Sequence, residues 1–217
     1  MLDTEPLHAR AWHQAASHFG TDLATEQLIQ LQGRRRIDNA MLVCSWIDQR
    51  ITPEQLLAVR QPIAAQLLPQ AEAMEGAESL VRTAERLGIA TALVTSSDRA
   101  SVQHKIGNHP WVSRLKLMIC GDDPGLKAGK PAPDPFLLGA EVLKVSPEEC
   151  WAFEDSRAGC ESALAAGCLV WRLLKRTEIT DQLDPGEQDL LRSDRLVVIT
   201  QLSEAQRCLE SAVSKDD

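Results

Sequence analysis

The stretch Ile89-Ala90-Thr91-Ala92-Leu93-Val94-Thr95-Ser96-Ser97-Asp98-Arg99 decides the fold. Residues 89–94 carry no charge, and four polar residues follow them. A charge-free run this short, bounded by Gly88, predicts a strand buried on both faces. Gly88 also stops the segment before it, which predicts a helix over residues 77–87. The polar end, Thr95-Ser96-Ser97-Asp98, leads into another helix whose first turn it caps. Helix, doubly buried strand and helix in succession are the repeating unit of a parallel sheet covered on both faces.

The same alternation continues downstream. Residues 115–119, 151–153, 168–173 and 195–199 predict further strands. Asp134-Pro135 and Ser146-Pro147-Glu148-Glu149 each predict the start of a helix between them, and the tail from Ser214 is expected to fray. Upstream the pattern changes. From about residue 7 to 73 no strand is predicted, and apolar positions recur at helical spacing, as at Leu28 and Leu31 and again at Met41, Leu42, Cys44 and Trp46. Thr52-Pro53-Glu54-Gln55 has the hydroxyl cap, the first-position proline and the returning amide of a helix start. The expected fold class is α/β. A Rossmann-like parallel sheet with helices on both faces takes residues 1–8 and 74–217, and a small bundle of four helices, 9–73, forms a lid.

Bulk composition narrows the partners. With 217 residues and a net charge of −8, the chain lacks the clustered cations that nucleic acid or an anionic membrane requires, although a local cationic pocket still suits a small phosphate. The six cysteines form no Cys-x-x-Cys pair, as expected of idle thiols in a reducing compartment. No apolar run approaches the roughly 18 residues of a membrane span, and the start, Met-Leu-Asp-Thr-Glu-Pro, has no signal-peptide character. A soluble cytoplasmic monomer is the expectation.

In an open parallel sheet, ligands bind beyond the carboxyl ends of the strands. Three clusters fall there. Thr95-Ser96-Ser97 offers hydroxyls and backbone N–H groups at a helix start, a phosphate cradle or else a plain cap. Gly129-Lys130-Pro131-Ala132-Pro133-Asp134 presents one lysine on a stiff loop, fit for a phosphoryl oxygen or simply solvent-facing. Phe153-Glu154-Asp155-Ser156 ends an apolar strand with two carboxylates, which suit Mg²⁺ or cap the next helix.

Taken in this order, the three clusters resemble the later three sequence motifs of the haloacid dehalogenase superfamily, in its β-phosphoglucomutase-like and phosphoglycolate-phosphatase-like branch. The opening Leu2-Asp3-Thr4-Glu5-Pro6-Leu7-His8 is similar to the segment that follows that family's first motif and enters its helical cap. The resemblance spans nearly the whole chain and implies a Mg²⁺-dependent hydrolase dephosphorylating a small phosphorylated metabolite through an aspartyl-phosphate. It implies that Thr95 bonds the transferring phosphoryl group, helped by Ser96 and Ser97, and that Lys130 neutralises its charge. Asp155 would bind the metal with Glu154 as partner. Arg36, in Gly33-Arg34-Arg35-Arg36, would meet the distal end of the substrate, and His8 would shape the pocket. His13, His18, His104 and His109 match nothing in the family, and the five tryptophans read as packing anchors. A sugar-phosphate mutase is the neighbouring alternative. A halide-removing enzyme would leave the carboxylate pair unexplained, and a non-catalytic phosphate- or partner-binding remnant is the reading from another class.

One departure from the family matters most. Its first motif is a strand ending in Asp-x-Asp-Gly, which supplies the nucleophile and the general acid, and no such segment precedes Leu2-Asp3 here. Asp3 is not a substitute, because the family has an equivalent residue besides the catalytic two. By resemblance the absent strand is the central one, between residues 89–94 and 151–153. The expectation is that Met1 is an internal methionine preceded by roughly ten to fifteen residues, the length of a strand and a turn.

Overall fold

A computed structural model describes residues 1–174 and 185–213. The expected fraying from Ser214 lies outside them. Four helices come first: α1 (Glu5–His18), α2 (Thr25–Gln30), α3 (Arg36–Trp46) and α4 (Pro53–Leu67). Trp12, Leu31, Val43 and Leu56 bury their side chains between them. α4 starts as its sequence dictates: Gln55 N donates to Thr52 Oγ1 at 3.3 Å, and Thr52 N donates to Gln55 Oε1 at 2.8 Å. α1 runs unbroken through residues 8 and 9, so one rigid rod links the start of the chain to the bundle.

The second unit alternates strands and helices: α5 (Ala77–Arg86), β1 (Ala92–Val94), α6 (Arg99–Ile106), β2 (Leu117–Ile119), α7 (Asp134–Leu143), β3 (Trp151–Glu154), α8 (Arg157–Ala166), β4 (Leu169–Leu173), α9 (Pro185–Leu191), β5 (Leu196–Ile199) and α10 (Leu202–Val213). Every strand pair is parallel. Helices cover both faces of the β3–β4–β5 portion. Trp171 and Ile199 pack with Leu80 of α5 and Leu202 and Ala205 of α10, whereas Ala152 and Val170 pack with Cys160 and Ala163 of α8.

Local expectations are corrected in three places. Ser146-Pro147-Glu148-Glu149 makes a single 3-10 turn, Pro147–Glu149, because β3 begins at Trp151 and leaves no length for a helix. Asp134 is the first residue of α7 and makes no side-chain cap bond, the preceding position being Pro133. β1 and β2 are only three residues each, shorter than the apolar runs that contain them.

The sheet is in two pieces, β1–β2 and β3–β4–β5. Among the described residues no strand pairs with the second edge of β1 or of β3. Both line one cavity of about 1180 Å³. Its effect on burial is direct: all three residues of β1 are only half-buried, and Phe153, the third residue of β3, is 37% exposed. Doubly covered parallel strands are normally dry, and an unpaired edge leaves backbone groups without partners.

Candidate active site

The carboxyl ends of β1 and β3 bring the three polar clusters to one rim. After β1 the chain turns through Thr95, whose Oγ1 accepts from Ser97 N at 3.2 Å, and Asp98 caps α6 by accepting from Ser101 N at 2.9 Å. After β3, Ser156 caps α8, its Oγ accepting from Gly159 N at 3.1 Å. Lys130 lies between them. Its ammonium is buried, donates to the Val94 carbonyl at 3.1 Å, and forms an ion pair with Glu154. One cation thereby joins the ends of the two strands whose second edges have no partner among the described residues.

Glu154 is pushed up by burial and by the neighbouring Asp155, and pulled back by Lys130. Half-buried Glu5, at the start of α1, is raised to about 7 by burial and by the charge of Asp155. Carboxylates gathered this closely would be relieved by a cation. Among the described residues no group of three His, Cys, Asp or Glu side chains could hold a metal. A Mg²⁺ ion needs only one or two carboxylates beside a substrate phosphate, and Asp155 with Glu154 fits that requirement.

The helical bundle meets this rim through residues 33–36. Ser96 Oγ donates to the Gly33 carbonyl at 2.6 Å. Gly33 has φ +73°, and a Cβ there would fall 2.2 Å from Ser156 Oγ. Arg35 packs so closely on Gly129 that a Cβ on that glycine would meet its Cδ at 2.4 Å. Arg36 Nη1 lies 2.8 Å from Asp98 Oδ2. Burial works against the Asp98 charge, yet hydrogen bonds from Ser101 and the Arg36 guanidinium hold its carboxyl below the usual value. Four consecutive lid residues thus include contacts to all three polar clusters.

A second group stands deeper on the lid side. His8 Nδ1 is 2.7 Å from Arg60 Nη2, His8 Nε2 is 3.3 Å from Lys105 Nζ, and Lys105 donates to Ser97 Oγ at 2.7 Å. Burial, with both cations close, drives His8 well below the ordinary histidine value, so its ring is neutral. The Arg60 guanidinium stacks 4.2 Å from the Trp12 ring. All eight residues singled out in the sequence, Thr95, Ser96, Ser97, Lys130, Glu154, Asp155, Arg36 and His8, line the same cavity. Asp98, the capping residue of the first cluster, lines it too, as do Arg60, Lys105 and Glu5, which had not been singled out. His104 lines it as well and contacts the Ala65 carbonyl at 3.0 Å, whereas His109 lies outside it and contacts the Ala71 carbonyl at 2.9 Å.

The sequence pattern of a family described as haloacid dehalogenase-like hydrolases matches residues 1–167. Hexitol phosphatase A of Escherichia coli is 31% identical over 173 residues, covering 78% of this chain and 76% of that protein. A fructose-1-phosphate phosphatase of the same organism is 29% identical over 170 residues, covering 77% and 87%. A β-phosphoglucomutase from Clostridium difficile superposes with a TM-score of 0.70 at 20% identity, covering 87% of each chain.

Proposed function

Since the chain belongs to the haloacid dehalogenase-like hydrolases, we propose that it is a divalent-metal-dependent phosphatase of a small phosphorylated metabolite. The observation that carries this reading is the buried Lys130, held between the Val94 carbonyl and Glu154 at the ends of β1 and β3. Hydroxyls, a fixed cation and a carboxylate pair around one cavity suit phosphoryl transfer, which needs positioning and charge neutralisation more than covalent machinery. The phosphatase names of the two Escherichia coli relatives favour the same substrate class.

In this reading the Thr95 hydroxyl and the backbone N–H groups after it bind the phosphoryl oxygens, and Lys130 offsets their charge. Asp155, with Glu154, would hold Mg²⁺, which supplies further charge neutralisation when bound. Arg36 and His8 face the far end of the substrate from the lid. The attacking carboxylate is placed on a strand occupying the gap between β1 and β3, where its end would reach Lys130. Its oxygen would bond to phosphorus as the ester oxygen leaves with a proton, and water would then release phosphate from the acyl phosphate.

The test is hydrolysis of an aryl phosphate with Mg²⁺ by two forms: the chain as it stands, and one extended at Met1 by an apolar strand ending in Asp-x-Asp-Gly. Turnover by the extended form alone, lost on adding a chelator or on changing the first aspartate to asparagine, is expected. Turnover by the unextended chain would contradict the placement of the nucleophile. Inactivity of both would favour a phosphate-binding protein without catalysis. The close fit of residues 33–36 on the rim favours a second reading, a sugar-phosphate mutase, because exclusion of water protects an acyl phosphate. Isomer formation instead of phosphate release would identify it.

A further inference from the structure

Arg60 and Lys105 are both buried, and neither has a carboxylate of the described residues within ion-pair distance. A guanidinium carries five N–H donors and an ammonium three. Against these the structure sets the Ser97 hydroxyl, the Trp12 face and one imidazole. The imidazole serves only one of them. Arginine can only donate, so its 2.7 Å contact makes His8 Nδ1 the acceptor, and a neutral ring then carries its proton on Nε2. Lys105, 3.3 Å from Nε2, faces an N–H and gains no acceptor there. Arg60 Nε has no partner at all. Buried donors left in this state are costly. Arg36 adds a third cation nearby, matched by Asp98, and Glu5 sets a single carboxylate, beyond ion-pair distance, against Arg60 and Lys105 together. The surplus is therefore positive, rich in donors and open to the cavity.

We propose that Lys105 and Arg60, with His8 Nε2–H between them, form a subsite for a second acidic group of the substrate. The molecule processed is then a phosphate monoester bearing a carboxylate or another phosphate at its far end, not a neutral polyol phosphate. The anionic oxygens accept from Lys105, from the His8 N–H and from the free edge of Arg60, while the ester phosphate lies against Thr95 and Lys130. The assignment rests on the phosphate site proposed above and names what that site's substrate carries at its other end.

Calorimetric titration of the chain as it stands, with Mg²⁺ present, compares glycerol 3-phosphate with 3-phosphoglycerate, which share a three-carbon skeleton and a phosphate but differ by one carboxylate. Tighter binding of 3-phosphoglycerate by about tenfold or more is expected, the scale of charge-assisted hydrogen bonds to a buried cation pair. The ratio falls toward one in Lys105→Gln and survives in Lys105→Arg. Equal affinities in the unaltered protein, or a ratio that persists in Lys105→Gln combined with Arg60→Gln, overturn the subsite alone. Binding of neither ligand overturns it together with the phosphate site. A preference that vanishes once the strand is added at Met1 means that the two cations serve that strand's carboxylates, and overturns the subsite as well.

Discussion

Lys130 does for the two sheet pieces what a ladder of hydrogen bonds does elsewhere, since its ammonium ties the end of β1 to the end of β3. Both members of its ion pair with Glu154 are nearly inaccessible, at 5% and 9% side-chain exposure, so neither can turn to water if the other is lost. Removing one partner of such a pair costs about 3 to 5 kcal/mol, whereas replacing both costs far less. Lys130→Met is therefore expected to lower the unfolding free energy by about that amount, and Lys130→Met with Glu154→Gln to recover much of it, as read from urea midpoints. Lys105 makes the opposite case, a charge buried without a counter-ion. Burial lowers its pKa to about 8; Arg60 acts in the same direction, against Glu5, Asp98 and Cys120. Below pH 8 the folded and unfolded chains both carry the charge, and folding bears its full desolvation cost. Between pH 8 and the unfolded value near 10.5 the folded form sheds its proton first, so stability rises with pH by up to about 3 kcal/mol. Urea midpoints measured at pH 7 and 9.5 should show that rise, and Lys105→Met should flatten it. A rise that persists in the variant would assign it to another group.

At the scale of elements, the contact of the helical bundle with the rim depends on one loop having no side chain at one position. Gly33 takes φ +73° with its Cα against Ser156, and its carbonyl receives the Ser96 hydroxyl. Gly33→Val adds left-handed strain of roughly 1 to 2 kcal/mol and a clash that only lid opening relieves. Amide exchange at residues 95–98 and 155–157 is then expected to quicken by about tenfold or more, while exchange in α5 and α10 stays unchanged. Uniform acceleration would mean that the substitution had loosened the whole chain instead. Much at this scale was legible in the sequence. Doubly buried strands leave charge-free runs, so β1 to β5 could be located, and the Thr52–Gln55 box marked the start of α4. Strand ends were not legible, because a ladder stops where its neighbour stops, and that is a property of distant residues. Arg60 left a readable trace: it interrupts a buried stripe of Leu56, Ala64 and Leu67 on α4, where a charge has no reason to stand unless it faces a cavity. Lys105 left none, since the short helix α6 shows hardly any apolar face against which to judge it. The closeness of Thr95, Lys130 and Glu154 follows from motif order and the rule for strand ends, Arg36 was named through the resemblance, and only Lys105 of the cavity's cations here left no trace to read.

For the whole molecule, the consequence of greatest reach lies in the gap between β1 and β3. The open edges of β1 and β3 border one cavity, Phe153 of β3 is exposed, and Lys130 spans the break. An extended segment of about five apolar residues laid there would bury side chains worth roughly 2 kcal/mol each and pair both edges. Ordering it would cost about 1.5 kcal/mol per residue. The balance favours the filled state by on the order of 3 kcal/mol. Extension at Met1 by the strand described above should therefore raise the urea midpoint as well as confer turnover. A strand of the same length with lysines at its inward positions should do neither, because it cannot enter an apolar slot. The two readouts separate fold from chemistry. An Asp-to-Asn strand that restores stability without activity fits a slot built for the strand and a reaction that needs its carboxylate. An active strand that leaves stability unchanged would mean that the carboxylate reaches Lys130 by a route other than the gap.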